Sequence, residues 1–462
     1  MSIRKLKFET ALLPEGWASD VVVAVDADGL ITAVTANSDD TAVARIAGAA
    51  IPAVPNVHSH AHQRAMIGLA ERSGPSNDSF WTWRETMYAF AHTMEPEDLE
   101  AVAAQLYVET LKSGSSVIGE FQYLHNQRDG TPYYEPAEMS LRCLQAARRA
   151  GIAITMLPTL YTFGGFGGER PGQGQRRFIN GAESFLRIIG ALVKAGEGRP
   201  LERVGMSPHS LRAVTAELLD EVLQGLDAMV ANAPVHIHVA EQTKEVEDCL
   251  AWCSRRPVQY LLENLPVSSR WCAIHATHMS GTEIAALANS GAVAGLCPTT
   301  EANLGDGTFP APSYLAQGGA IAIGSDSHIC VSPAEDLRQL EYSQRLLYRA
   351  RTVLAGGPHR STGRRLFDAV LAGGAQAMNQ PVGAIAPGRR CDIAVLDTDH
   401  PGLYGRVGDE IIDAWIFSAG TSAVRHMLVA GEAVVSDRRH RHEEEIGARF
   451  RAAIDRLKRR KG

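Results

Sequence analysis

The chain has 462 residues, 45% hydrophobic and 21% charged, with 52 acidic against 45 basic residues and a net charge of −7. That apolar fraction excludes a disordered chain, and the mildly acidic balance argues against a dedicated nucleic-acid binder. No run approaches the ~18 consecutive apolar residues that a membrane span needs.

Seven cysteines without a C-x-x-C pair fit a reducing cytoplasm better than a disulfide framework. The opening MSIRKLKFETALLPEGW has basic residues but no apolar segment behind them, so no signal peptide is expected. The first fifty residues predict short strands and turns, and VVVAVDADGLITAV (21–34) carries a hairpin pattern around Asp-Gly. The far end returns to this style in CDIAVLD (391–397) and AVRHMLVAGEAVVSD (423–437). Residues 1–50 and 382–462 are therefore expected to pair into one small β-sandwich domain.

The middle, 51–381, repeats a short apolar strand, a polar loop and a helical stretch. Strands are predicted at 51–57, 116–121, 152–158, 204–207, 235–240, 271–275, 292–297 and 320–324. Helices are predicted at 96–114, 136–151, 217–231, 281–292 and 333–350, where apolar residues recur at three and four. Eight strands alternating with helices predict parallel βα units closing into a (β/α)8 barrel, with an open doubly wound sheet as the competitor.

What lies at the strand ends points to metal chemistry. The first strand runs into His58-Ser59-His60, the fifth carries His236-Ile237-His238 followed by Glu241, the sixth ends at His275, and the eighth runs into Ser325-Asp326-Ser327-His328. Catalytic groups in a barrel gather where strands deliver them to the C-terminal mouth. Two histidines at i and i+2 on a strand face the same side, so His58 and His60 can reach one ion. A third His and an Asp complete a nitrogen-and-oxygen set suited to Zn²⁺. His62 is expected outside that set, and His236, one step deeper, is expected in the barrel interior.

Three further features have plain readings. Cys249 and Cys253 share a helix face and are expected to pack in the core. Gly164–Gly168 lacks the G-K-[ST] of a phosphate cradle and reads as a loop over the mouth. Arg438–His442 reads as a solvated surface segment and the terminal RLKRRKG as a solvated helix terminus.

The segments P-N-V-H-S-H, H-V-A-E, H-A-T-H and G-S-D-S-H resemble the amidohydrolase superfamily. The fourth strand ends in Met206-Ser207-Pro208-His209, with no lysine to bridge two metals, so the resemblance is to the single-metal deaminase branch. N-D-S-F-W-T-W-R-E (77–85), E-F-Q-Y (120–123), G-Q-R-R-F-I-N-G (174–181), H-S-L-R-A-V (209–214), V-H-I-H-V-A-E-Q (235–242) and T-E-A-N-L-G-D-G (300–307) narrow it further. They are similar to the members that hydrolyse the formimino group of N-formimino-L-glutamate in histidine degradation.

That resemblance implies one Zn²⁺ per chain held by His58, His60, His238 and Asp326. Asp326 would serve also as general base, His275 as the hydrogen-bonding partner of the attacking oxygen, and Glu241 as proton shuttle to the departing nitrogen. A dicarboxylate substrate calls for arginines, which grip a carboxylate through a planar fork. Arg212, past His209, and Arg84, among Phe80-Trp81-Thr82-Trp83, are the candidates, although an arginine among aromatics also simply stacks on a ring. The resemblance assigns both to substrate binding, with Gln63, Tyr123 and His209 beside them, and implies a homodimer, while composition and charge predict a cytoplasmic protein with no nucleic-acid or membrane partner. A guanine-type ring deaminase on the same metal site is the alternative enzyme, and a barrel without catalysis the alternative from another class.

Overall fold

The computed structural model describes residues 3–71, 80–357 and 360–461. Asn77, Asp78 and Ser79 of the W-T-W-R segment lie outside the described residues. The middle of the chain is the (β/α)8 barrel. Its parallel strands are Val54–Ser59, Ser115–Gln122, Ala153–Leu160, Glu202–Val204 continued by Ser207–Pro208, Val235–Val239, Trp271–His275, Val293–Leu296 and Ala320–Ile323. The ring closes where Ile323 of the eighth strand pairs with Asn56 of the first, and where Met206 bridges to Val235 between the fourth and fifth. The first strand starts later than predicted because Ile51 and Pro52 complete the strand Arg45–Pro52, which belongs to a different sheet.

That second sheet is built from both ends of the chain. In spatial order it runs Arg439–His440, Glu432–Ser436, Val424–Val429, Ile393–Leu396, Arg45–Pro52, Arg4–Leu13, Gly16–Val25 and Ile31–Thr35. The ends meet at Val395↔Ala50. Gly48 makes this possible: at φ +109, a side chain there would place its Cβ 2.3 Å from the Leu396 carbonyl. Phe8, Val21, Val23, Ile31, Ile393, Val395 and Leu428 form this sheet's own buried cluster.

Local signals explain the helix limits. Pro96–Ser113 starts with proline in the first turn and a capping box between Glu95 and Asp98, and stops at left-handed Gly114. Thr215 and Ser332 cap Ala216–Met229 and Pro333–Tyr348 through their hydroxyls. Cys249 is buried, with the partly buried Cys253 packed at its core and their sulfurs 4.0 Å apart; all seven cysteines are free.

The basic C-terminal run is a helix terminus as expected, with part of it drawn into contacts. It ends the helix Glu443–Lys461, which packs on Pro96–Ser113. Leu457 is buried, and Arg456 and Arg460 both pair with the buried Asp98. A buried carboxylate needs such partners, and Asp98 lies on the apolar face of its own helix. His440, in the other run read as solvated, is likewise buried and bonded to the Ala150 carbonyl at 2.7 Å. No described helix is long and apolar enough to cross a membrane.

Candidate active site

Strand ends bring the predicted donors together at the C-terminal mouth. His58 lies within the first strand and His60 one residue beyond it, later than predicted by sequence because the strand runs on to Ser59. The eighth strand reaches the first closely: Asp326 N donates to the His58 carbonyl (3.0 Å), and His60 N is 3.2 Å from the Asp326 carbonyl. Gly324 allows that approach, since a Cβ there would fall 2.5 Å from His58 Cβ. Ala240, His275, Ala276, Asp326 and His328 all have φ between +47 and +68, so strained backbone clusters at this mouth.

The donor atoms form two buried groups that share His58: His58 with His60 and Asp326, and His58 with His238 and His275. His58 Nε2 lies 3.0 Å from His238 Nε2 and 3.5 Å from Asp326 Oδ1, and His60 Nε2 lies 3.3 Å from the same oxygen. Ligands ~2.1 Å from a tetrahedral ion stand ~3.4 Å apart, so these spacings suit a single divalent ion. The outer shell agrees. His60 Nδ1 donates to the Phe121 carbonyl and His238 Nδ1 to the His209 carbonyl, each at 2.9 Å, which turns both Nε2 lone pairs inward. Burial lowers His58 to about 3 and pushes His238 well below the usual imidazole range, leaving neutral rings suited to ligation. The residues present therefore fit a metal ion. His62, buried edge-on against Tyr123, shares none of these groupings, and His236 bonds the Ala377 carbonyl inside the barrel.

His275 stands beside that cluster. Its Nε2 is 3.8 Å from Asp326 Oδ2 and 3.6 Å from Glu241 Oε1, while its Nδ1 is 3.2 Å from Glu301 Oε1. Burial disfavours the imidazolium, but Glu241, the Glu301 hydrogen bond and Asp326 outweigh it and hold His275 at about 10. Burial raises Glu241 to about 7, against the pull of His275 and Arg212. Burial would also raise Asp326, but its histidine partners hold it well below the carboxylate range. The site thus pairs a donor, an ionised acceptor and a carboxyl poised near neutrality.

The cleft above is lined by Gln63, Arg84, Tyr123, His209 and Arg212 together with His60, His238, Glu241, His275 and Asp326. Gly164 of the glycine-rich loop also lines it. Gln63 donates to the Tyr123 hydroxyl at 2.8 Å, leaving its own carbonyl oxygen without a partner. Arg84 lies 4.5 Å over the Trp81 ring, so the stacking reading holds, yet its Nε has no hydrogen-bond acceptor. The Arg212 side chain is 13% exposed with its Nε buried and equally unpartnered, and Glu245 and Glu241 hold its guanidinium charged against the cost of burial. Two fixed cations with open donors face one cleft.

Several supporting residues escaped sequence reasoning. Glu301 accepts from both His275 and the Cys297 N–H. Glu120, raised by burial to about 7, accepts from Ser59, Tyr107 and the Ala61 N–H behind the ligands. His328 joins His60 N to Ser325. Each lies inside a segment singled out above (T-E-A-N-L-G-D-G, E-F-Q-Y and G-S-D-S-H), but one acid or histidine in a motif does not declare which neighbour it serves.

Comparison with known proteins accords with this geometry. The profile of the amidohydrolase family matches residues 49–434, and that of the formimidoylglutamate deiminase N-terminal domain matches residues 8–44. The chain is 51% identical over 447 residues to formimidoylglutamate deiminase of Pseudomonas aeruginosa, covering 96% of this chain and 97% of that one. It is 26% identical to 5-methylthioadenosine/S-adenosylhomocysteine deaminase of Natronomonas pharaonis over 84% of this chain and 81% of that one. Among solved structures, an amidohydrolase from Brucella melitensis superposes with TM-score 0.92 at 47% identity, covering 98% of this chain and 99% of that one.

Proposed function

The chain belongs to the amidohydrolase family, in its formimidoylglutamate deiminase branch, and from that premise we propose that it hydrolyses N-formimino-L-glutamate to N-formyl-L-glutamate and ammonia. The observation that carries this reading is the cleft itself: a buried metal-type donor set at its floor, and two arginines with unused donors in its wall.

His58, His60, His238 and Asp326 would hold one divalent ion, and this nitrogen-rich, mixed donor set suits zinc. When bound, the ion would supply Lewis acidity that makes water nucleophilic at neutral pH. The chain's own groups do the rest. Asp326, ionised, accepts the proton of the attacking water. His275, as imidazolium, donates a hydrogen bond to the oxygen that gains charge on the formimino carbon. Glu241, near neutrality, carries a proton to the terminal nitrogen, which leaves as ammonia. Arg84 and Arg212 grip the two carboxylates, and Gln63, Tyr123 and His209 orient the formimino arm between them. The same reading places the enzyme in the cytoplasm as a homodimer, against which an elution volume matching a single chain would stand.

Product identity tests the chemistry. Protonation of the terminal nitrogen gives N-formyl-L-glutamate with one ammonia, whereas protonation of the glutamate nitrogen would give L-glutamate and formamide. Proton NMR of the completed reaction is expected to show the first pair, and the second pair would reject the role given to Glu241.

Glu301 supplies a further check. Loss of an outer-shell partner of an active-site histidine costs about 10–100-fold, so Glu301→Ala is expected to lower kcat within that range at unchanged metal content. A variant within threefold of wild type would remove Glu301 from the orientation of His275.

A further inference from the structure

Glu245 takes no part in the reaction steps above, yet it meets two residues that do, Glu241 and Arg212. It is fully buried in the first turn of the helix Thr243–Cys253. Its Oε1 accepts the Ala240 N–H at 3.1 Å and its Oε2 the Glu241 N–H at 3.2 Å, at the turn where Ala240 adopts φ +51. Oε2 also lies 3.9 Å from Arg212 Nη2, inside Coulomb range and outside hydrogen-bond length.

That spacing has a chemical consequence. A buried guanidinium needs a counter-charge, because a lone buried cation is costly. A counter-charge bonded to its N–H groups would occupy the fork that a substrate carboxylate needs. Glu245 supplies the charge while spending its oxygens on backbone N–H groups, and Arg212 Nε keeps no partner. The other acid in reach of Arg212's field is Glu241, which faces the same cleft.

We propose that Glu245 is a positioning residue that balances Arg212 without bonding it, holding the guanidinium open for a substrate carboxylate and off the Glu241 carboxylate. The proposal rests on the reading of Arg212 as a carboxylate clamp. Without the Glu245 charge, Arg212 turns to Glu241 in the empty site, and each substrate has to pull it back. The loss then falls on KM and largely spares kcat, since the bound substrate itself restores the arrangement.

Glu245→Gln tests this, because glutamine keeps the shape and one oxygen for a backbone N–H but removes the charge. Contacting charged residues couple by amounts equivalent to several-fold to over a hundredfold, and here KM for N-formimino-L-glutamate is expected to rise about tenfold with kcat within threefold. In an Arg212→Met background the same substitution is expected to leave KM within twofold of Arg212→Met alone. A KM within twofold of wild type, a lowered KM, or an equal rise in both backgrounds would overturn the proposal. A residue that only caps the turn would lower kcat and melting temperature in both backgrounds and leave KM alone. Should Glu245→Gln not fold, Glu245→Asp, which keeps the charge, is expected to hold KM within threefold, and a larger rise would count against the proposal. If Arg212→Met itself leaves kcat/KM within fivefold of wild type, the clamp reading fails, and that result is separate from the outcome of the Glu245 comparison.

Discussion

Replacing Asp326 with asparagine is expected to lower kcat by at least about 10²–10⁴-fold, the range typical for loss of a general acid–base group. The geometry explains the size of the effect. One Asp326 oxygen faces His58 and His60 at 3.5 and 3.3 Å, and the other faces His275 at 3.8 Å. Asparagine keeps that outline but offers no anionic oxygen, so it removes the proton acceptor and weakens the donor set at once. It also leaves His275 with one fewer of the carboxylates that sustain its imidazolium. Turnover and metal content measured on one preparation check this, since restoring the metal should not restore the rate. A variant within tenfold of wild type would exclude Asp326 as the base.

Arg212→Met is expected to collapse kcat/KM on N-formimino-L-glutamate while metal content stays the same. Methionine preserves much of the side-chain length and removes the fork. Truncating one partner of a buried charge pair costs about 2–5 kcal/mol, roughly thirty- to several-thousand-fold. Arg212 lies mostly buried beside Glu245, within the field of Glu241 and with its Nε unpartnered, so it has unused donors where a substrate anion would sit. An enzyme for a neutral ring would bring no anion to those donors, and losing Arg212 would cost it little. A drop of less than about fivefold would remove the carboxylate role from Arg212.

Much of the barrel and its donors was legible in the sequence because both depend on local pattern. Apolar runs bounded by polar loops mark parallel strands, and H-x-H places two rings on one side of a strand whatever surrounds it. The predicted donors meet because strand ends in this architecture share one mouth. Long-range relations were not legible. That Glu301 serves His275, that Glu245 faces Arg212, and that Arg456 and Arg460 reach Asp98 depend on loops and helices meeting in space. A basic run looks the same in sequence whether water or a buried aspartate receives it. The first strand's boundary was misplaced for a related reason: Ile51 and Val54 are both apolar, but their hydrogen bonds go to different sheets.

Ammonia release compared across candidate substrates on one metal-assayed preparation tests the central claim most directly. N-formimino-L-glutamate is expected to give rapid, stoichiometric ammonia at about one divalent ion per chain, while guanine and 5-methylthioadenosine give none above background. Faster release from either ring compound, or no release from N-formimino-L-glutamate by the metal-loaded enzyme, would contradict the account.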